Sequence, residues 1–134
     1  MTGTAASPLA KKLGIMPGAR VAVLGAPDGF LASVPSWPSN VRVLRATRKP
    51  LDVAVLFVTR RSELLRRFPT TQRAMTPGGS LWVAWPRRSS GVVTDLHDRE
   101  VREIGLAHGL VDNKVVALDE SWSGLRFVAR VAPQ

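Results

Sequence analysis

This chain of 134 residues has no cysteine, no tyrosine and only two histidines, and its ten acidic side chains are outnumbered by nineteen lysines and arginines. Without cysteine, a disulfide framework, a thiol nucleophile and a thiolate metal site are excluded. No apolar run approaches the ~20 residues of a membrane-spanning helix, and residues 1–8 lack the basic and apolar segments of a secretory signal. We therefore expect a cytoplasmic protein that does not enter a membrane.

The two histidines and the few acids form no pattern that is typical of an active site. His97 and His108 are expected at the ends of a helix, where their role is structural. Ser121 and Ser123 lack a nearby base and the G-x-S-x-G motif of a serine nucleophile. The sequence therefore predicts no catalytic residue, no metal site and no bound cofactor.

Three short apolar runs predict the centre of a sheet. Val21–Leu24, Val53–Val58 and Leu81–Trp85 are continuously apolar, as strands are when both faces of a parallel sheet are covered. We predict that these strands lie side by side and run parallel. Trp82 and Trp85 stand three positions apart in the last run, so they should face opposite sides of the sheet.

Two helices are predicted between and after these strands. Thr59 is expected to cap a helix over Arg60–Phe68. Pro69 should interrupt this helix, because proline lacks the N–H that a helix interior needs, and one or two further turns should reach Met75. A cap on Thr94 or Asp95 should begin the second helix, which Gly109 ends. A last pair of strands, at 114–118 and 125–130, has the spacing of an antiparallel hairpin, with the Asp112-Asn113 pair as a turn before it.

The order of these elements predicts an α/β protein with a three-layer, Rossmann-like and mostly parallel sheet that carries the antiparallel hairpin at its edge. Residues 8–134 are expected to form this single domain, and residues 1–7 a disordered tail. A weaker strand at Val41–Arg45 belongs to an edge of the sheet. Since only residues 46–52 join it to the next strand, it either crosses over in parallel without a helix or runs in reverse.

Several segments resemble an uncharacterised bacterial family that is known only as a domain of unknown function. The segments that carry the resemblance include Leu24–Phe30, Leu81–Pro86, Gly109–Val115 and Asp119–Leu125. The proline-glycine turn at residues 76–79 and the strand after it also resemble a late strand of a shortened methyltransferase-like Rossmann sheet. The resemblance implies this fold and a stand-alone cytoplasmic protein, and it brings no reaction, ligand or catalytic residue with it.

The residues that a nucleotide-type cofactor requires are missing from the expected places. Rossmann sheets use a glycine-rich turn after the first strand and an acid at the end of the next strand, which holds the ribose hydroxyls. Here Gly25–Gly29 contains no G-x-G pattern, Pro27 removes one N–H from the turn, and Arg45 stands where the acid should be. The sequence therefore predicts that S-adenosylmethionine does not bind, and NAD fails on the same residues.

Arginine pairs follow two of the predicted parallel strands. The carboxyl ends of parallel strands meet at one edge, where open α/β sheets bind ligands. Arginines, hydroxyls and flexible backbone at such an edge suit a phosphate or carboxylate, so we predict an anion site. The residues assigned to it are Arg60, Arg61, Arg87, Arg88, Ser89, Ser90 and Gly91. A solvated loop face, or a general compositional preference for arginine, is the alternative explanation.

We expect a protein without catalysis of its own that binds an anionic small molecule or a protein partner at this basic edge. The alternative function is an aberrant S-adenosylmethionine-dependent methyltransferase. Nucleic acid is a less favoured partner, because base stacking needs exposed aromatic side chains and Trp37 is the only good candidate.

Overall fold

The structure, a computed structural model, describes residues 8–130. The predicted tail, residues 1–7, and the last four residues lie outside the described part. The strands are β1 (Arg20–Leu24), β2 (Arg42–Leu44), β3 (Leu51–Phe57), β4 (Met75–Pro86), β5 (Leu110–Ala117) and β6 (Trp122–Ala129). The helices are α1 (Pro8–Lys12), α2 (Arg61–Arg73) and α3 (Asp98–Ala107), with two 3₁₀ turns at Leu31–Ser33 and Arg88–Ser90. None of the helices within residues 8–130 has the length and apolar character to cross a bilayer.

All six strands form one sheet in the order β2-β1-β3-β4-β6-β5. The β1, β3 and β4 strands are adjacent and parallel, and β6 runs antiparallel to both β4 and β5. The predicted α/β fold is confirmed, with its parallel centre and its antiparallel hairpin at the edge. The edge strand β2 pairs in parallel with β1. Of the two predicted alternatives, the parallel crossover without a helix is therefore correct, and the reversed strand is not.

The two faces of the sheet are covered differently. Helices α2 and α3 pack on one face, where Phe68 and Ile104 share a buried cluster with Trp85. The other face is covered by the chain on either side of β1, which contains no long helix, and its buried cluster includes Phe30 and Trp82. The two tryptophans of β4 therefore lie on opposite faces, as the sequence predicts.

The predicted cap of α2 and its predicted interruption at Pro69 are wrong. Thr59 does not cap the helix: its backbone N–H donates to Glu63 Oε1 at 3.2 Å, and the Arg61 N–H donates to Asp95 Oδ1 at 2.7 Å. The carboxylate of Asp95 thus satisfies a donor of the first turn that a threonine cap could have served. The helix also continues through Pro69, because burial of Phe68 and other residues before and after the proline holds it against the sheet.

The predicted start of α3 is also wrong. Thr94 is used in the loop, where its Oγ1 donates to Thr59 O at 2.6 Å and accepts the Leu96 N–H at 3.0 Å. The helix begins after His97, whose N–H donates to Glu100 Oε1 at 2.9 Å. Gly109 has φ +85° and ends the helix as predicted.

The hairpin begins earlier than its sequence indicates. Asp112 and Asn113 belong to β5, which has a bulge between Asp112 and Lys114, and they do not form a turn. In β5, Asp112 forms an ion pair with α3, in which Arg102 Nε donates to Asp112 Oδ2 at 2.9 Å. This bond raises the pKa of the Arg102 guanidinium. It joins residues from different elements, which local turn propensity does not take into account.

The predicted proline-glycine turn is a bulge between two paired strands. Leu51 pairs with Met75 and Val53 pairs with Ser80, so four residues of β4, 76–79, lie opposite one residue of β3, Asp52. A Cβ atom on Gly79 would lie 3.0 Å from the carbonyl oxygens of residues 51 and 52. Glycine therefore allows the bulge to return close to β3.

Candidate functional site

Four parallel strands end at the same edge of the sheet, and two clefts open among the loops that follow them. This carboxyl edge is where open α/β sheets bind ligands. One cleft lies between the ends of β1 and β2, and the other lies beyond the end of β4. We call them the β1 cleft and the β4 cleft.

The β1 cleft has a volume of about 310 Å³. The loop Gly25–Gly29, three apolar side chains of Val23, Leu31 and Ala32, and Arg45 from the end of β2 line it. Gly25 has φ +71°, and a Cβ atom on it would lie 2.9 Å from Phe57 O and 3.3 Å from Arg67 Nη1. The loop therefore needs glycine at this position in order to pass between β3 and the Arg67 side chain.

The β4 cleft is larger, at about 460 Å³. Three predicted anion-site residues, Arg87, Arg88 and Ser89, line it together with the strand end Trp85-Pro86. Its other three lining residues, His97, Asp98 and Ser123, are not among the residues that the sequence predicts for the site. His97 and Asp98 come from the start of α3, and the antiparallel pairing of β6 with β4 places Ser123 opposite Trp85.

The start of α3 adds a histidine and a carboxylate to the β4 cleft. His97 Nδ1 lies 3.4 Å from Glu100 Oε1. The pKa of Glu100 is lowered, chiefly because its own backbone N–H and that of His97 donate to the carboxylate. Asp98 is the one carboxylate among the residues that line this cleft. It faces two arginines there, so the balance of charge in the lining is positive.

The other predicted anion-site residues, Ser90, Gly91, Arg60 and Arg61, lie outside the lining of the β4 cleft. Ser90 Oγ donates to Arg87 O at 2.7 Å and accepts the Val92 N–H at 3.1 Å, while Gly91 ends the 3₁₀ turn at φ +76°. These two residues shape the loop and do not line the cleft. Arg60 and Arg61 line neither of the two clefts and stand instead at the start of α2.

His108 and Trp37, the remaining candidate residues, contact the protein interior. His108 Nδ1 lies 2.8 Å from Ile104 O, and its ring packs 5.1 Å from that of Phe68. Trp37 is half-buried against the cluster around Trp82 and is not a free stacking surface. Within residues 8–130, no three histidine, aspartate or glutamate side chains are grouped so that they could hold a metal ion.

Comparisons with known proteins find similarity in structure alone. No protein-family model matches the chain, and no curated protein sequence does. A S-adenosylmethionine-dependent methyltransferase from Aquifex aeolicus is 19% identical with a TM-score of 0.64, over 87% of this chain and 85% of that one. Fibrillarin from Aeropyrum pernix, with natively bound S-adenosylmethionine, is 16% identical with a TM-score of 0.58, over 90% and 73%. The mitomycin 7-O-methyltransferase MmcR is 12% identical with a TM-score of 0.64, over 91% and 53%.

The chain has the fold of the Rossmann-like methyltransferases. At identities of 11–19%, this likeness establishes architecture and leaves the chemistry to the residues at the site. The resemblance to an uncharacterised bacterial family stays a prediction, because no family model matches.

The side chains that line the β1 cleft can be compared with those that S-adenosylmethionine requires. A ribose diol needs a carboxylate at the end of the second strand, and that position carries the guanidinium of Arg45. The one carboxylate that lines the cleft is Asp28, in the loop after β1. The described residues of this cleft therefore do not fit S-adenosylmethionine in the arrangement that the fold normally uses.

Proposed function

We propose that this protein binds an anionic small molecule at the carboxyl edge of its sheet, in the β4 cleft, and does so without catalysis of its own. One observation carries the proposal: Arg87, Arg88 and Ser89 line a cleft of about 460 Å³ at the end of a central parallel strand. Two guanidinium groups and a hydroxyl suit a phosphate or carboxylate. The volume falls within the range of small-molecule sites.

The composition supports the same proposal. Residues 1–91 hold fourteen of the nineteen basic side chains and three of the ten acids, so the part of the chain that contains the four parallel strands attracts anions. An acidic protein surface could use the same arginines and is the alternative partner. The absence of cysteine is in keeping with a reducing compartment, and we propose the cytoplasm as the location.

The comparisons favour a second candidate, S-adenosylmethionine-dependent methyl transfer. All three neighbours described above are methyltransferases or carry S-adenosylmethionine, and this supports methyl transfer more than a role without catalysis. The residues of the β1 cleft argue against methyl transfer. Arg45 replaces the acid that would hold the ribose hydroxyls, and Pro27 removes one N–H from the turn. Binding of the cofactor separates the two candidates.

We expect no measurable binding of S-adenosylmethionine or S-adenosylhomocysteine in isothermal titration calorimetry, with a dissociation constant weaker than about 1 mM, or less than about 4 kcal/mol of binding free energy. The Aquifex aeolicus methyltransferase, measured in the same buffer, is the positive control. A low-micromolar dissociation constant for this protein would make methyl transfer the leading function.

We expect an Arg87→Gln/Arg88→Gln variant to bind pyrophosphate at least tenfold more weakly, because a charge-assisted hydrogen bond contributes about 1.5–3 kcal/mol. An Arg66→Gln/Arg73→Gln variant removes the same charge from exposed positions of α2 and is the matched control. Titration calorimetry at two salt concentrations and a melting curve of each variant make the comparison.

An Arg60→Gln/Arg87→Gln variant tests the wider basic edge. We expect weaker retention on a phosphate matrix, a shallower dependence on salt and an unchanged melting temperature. The reason is that the Arg87 side chain makes one exposed hydrogen bond, to Asp119 O. Unchanged retention together with a large loss of stability would show that these arginines have a structural role, and the anion site would be rejected.

A further inference from the structure

The β1 cleft contains backbone N–H groups and an arginine that could bind a ligand other than S-adenosylmethionine, and none of them belongs to the β4 cleft. Its floor is the loop Gly25–Gly29, whose glycines have φ +71° and +83°. A Cβ atom on Gly29 would meet no heavy atom within 4 Å. The backbone at Gly29 is therefore open to a ligand, while the backbone at Gly25 packs against β3.

Backbone N–H groups in this loop are free to donate. Within residues 8–130, the N–H groups of Ala26, Asp28 and Gly29 have no protein acceptor, while the next N–H, that of Phe30, donates to Pro27 O at 3.1 Å. Successive N–H groups in a turn that has positive-φ residues form concave sites for anions, and those of Asp28 and Gly29 are successive, whereas Pro27 separates them from that of Ala26. All three residues line the cleft.

Arg45 completes the donor set from the neighbouring strand. It lines the cleft, and it makes no hydrogen bond or ion pair with any of the residues that the structure describes. Arg20, by contrast, is engaged, since its Nε donates to Pro50 O at 2.7 Å. The guanidinium of Arg45 is therefore available for a ligand and can bind a phosphate through two parallel hydrogen bonds.

The charges around the cleft favour an anion. Asp28 is the one carboxylate in the lining, and two guanidinium groups oppose it. Arg45 is in the lining, and Arg67 Nη1 lies 3.3 Å from the position of a Cβ on Gly25. The net charge at the loop is therefore positive.

The size and the walls of the cleft limit the rest of the ligand. A volume of about 310 Å³ is near the lower end of the range for small-molecule sites. Val23, Leu31 and Ala32 give it an apolar wall that can contact a short organic group. We propose that the β1 cleft binds a small phosphate monoester, with the phosphate held by Arg45 and the free N–H groups of the loop. This site is separate from the one in the β4 cleft and does not depend on it.

Ribose 5-phosphate is the probe, and ribose without phosphate is the uncharged control. We expect ribose 5-phosphate to bind in titration calorimetry and ribose not to bind. We expect Arg45→Gln to weaken the binding at least tenfold, because it removes the charged donor. Arg48→Gln removes the same charge from an exposed residue that does not line the cleft, and it should change the dissociation constant less than threefold.

The amide signals of the loop give a second measurement on the wild-type protein. On titration with ribose 5-phosphate, we expect the ¹⁵N–¹H signals of residues 26, 28 and 29 to shift, and those of residues 87–89 not to shift. Failure of the wild-type protein to bind ribose 5-phosphate at 10 mM or less, or equal binding by Arg45→Gln, would overturn the inference. Shifts confined to residues 87–89 would also overturn it, but they would support the proposed site in the β4 cleft.

Discussion

A Gly105→Ala variant is expected to be less stable than the wild type by about 2–3 kcal/mol, the upper part of the usual range for adding a methyl group to a packed core. Gly105 lies in α3 and faces the ring of Phe127 on β6. A Cβ atom at this position would lie 2.5 Å from Cδ1 and Cζ of that ring. Since Phe127 is fully buried and packs edge-on against Phe68 with 5.7 Å between ring centroids, it has no room to move away.

Urea denaturation of purified protein measures this effect. Gly78→Ala is the matched control, because a Cβ atom there meets no heavy atom within 4 Å, and its stability should stay within about 0.5 kcal/mol of the wild type. Shortening the facing ring in a Gly105→Ala/Phe127→Leu variant should recover part of the loss, since contacting residues are not additive. If Gly105→Ala proves as stable as the wild type, α3 does not pack against β6 in this way.

A Trp82→Ala variant is expected to lose about 3–5 kcal/mol of stability, which is the usual cost of removing a fully buried large aromatic side chain. Trp82 is completely buried on the face of the sheet that carries no long helix. Its Nε1 donates to Leu13 O at 3.1 Å, so the indole also ties β4 to the segment that covers this face. The variant should therefore loosen the covering segment as well as create a cavity.

Trp82→Phe separates the hydrogen bond from the packing. It keeps most of the apolar contact and leaves Leu13 O without this donor, so we expect a smaller loss of about 1–3 kcal/mol. Trp37→Phe, at a half-buried position of the same cluster, should cost less than either. Far-UV circular dichroism should follow the unfolding, because these substitutions alter tryptophan fluorescence. A Trp82→Ala variant with native stability would contradict the assigned burial.

The centre of the fold could be predicted because it depends on composition within short segments. The runs Val21–Leu24, Val53–Val58 and Leu81–Trp85 are apolar on both faces, as strands are when both faces of a parallel sheet are covered. The end of α3 at Gly109 could be predicted too, because a glycine after the last turn is a local signal. The start of α2 could not, since Asp95, which accepts the Arg61 N–H, lies 34 residues away.

Part of the candidate site could be predicted, because the ends of the apolar strands can be located in the sequence. The rule that ligands bind at the carboxyl ends of parallel strands led to Arg87, Arg88 and Ser89, which line the β4 cleft. The same rule placed Arg60 and Arg61 in the site, although the start of α2 does not line that cleft. His97 and Ser123 were missed, because a contact between a loop, a helix start and an antiparallel strand has no periodic signal in sequence.

The pairing of β4 with β6 has a consequence for synthesis of the chain on the ribosome. β4 is complete at residue 86, but β6, the strand that covers its second edge, spans residues 122–129. Until β6 emerges, a highly apolar strand has an open row of N–H and C=O groups that can pair with another nascent chain. A premature stop between these two strands would therefore yield an aggregating product and not a smaller folded domain.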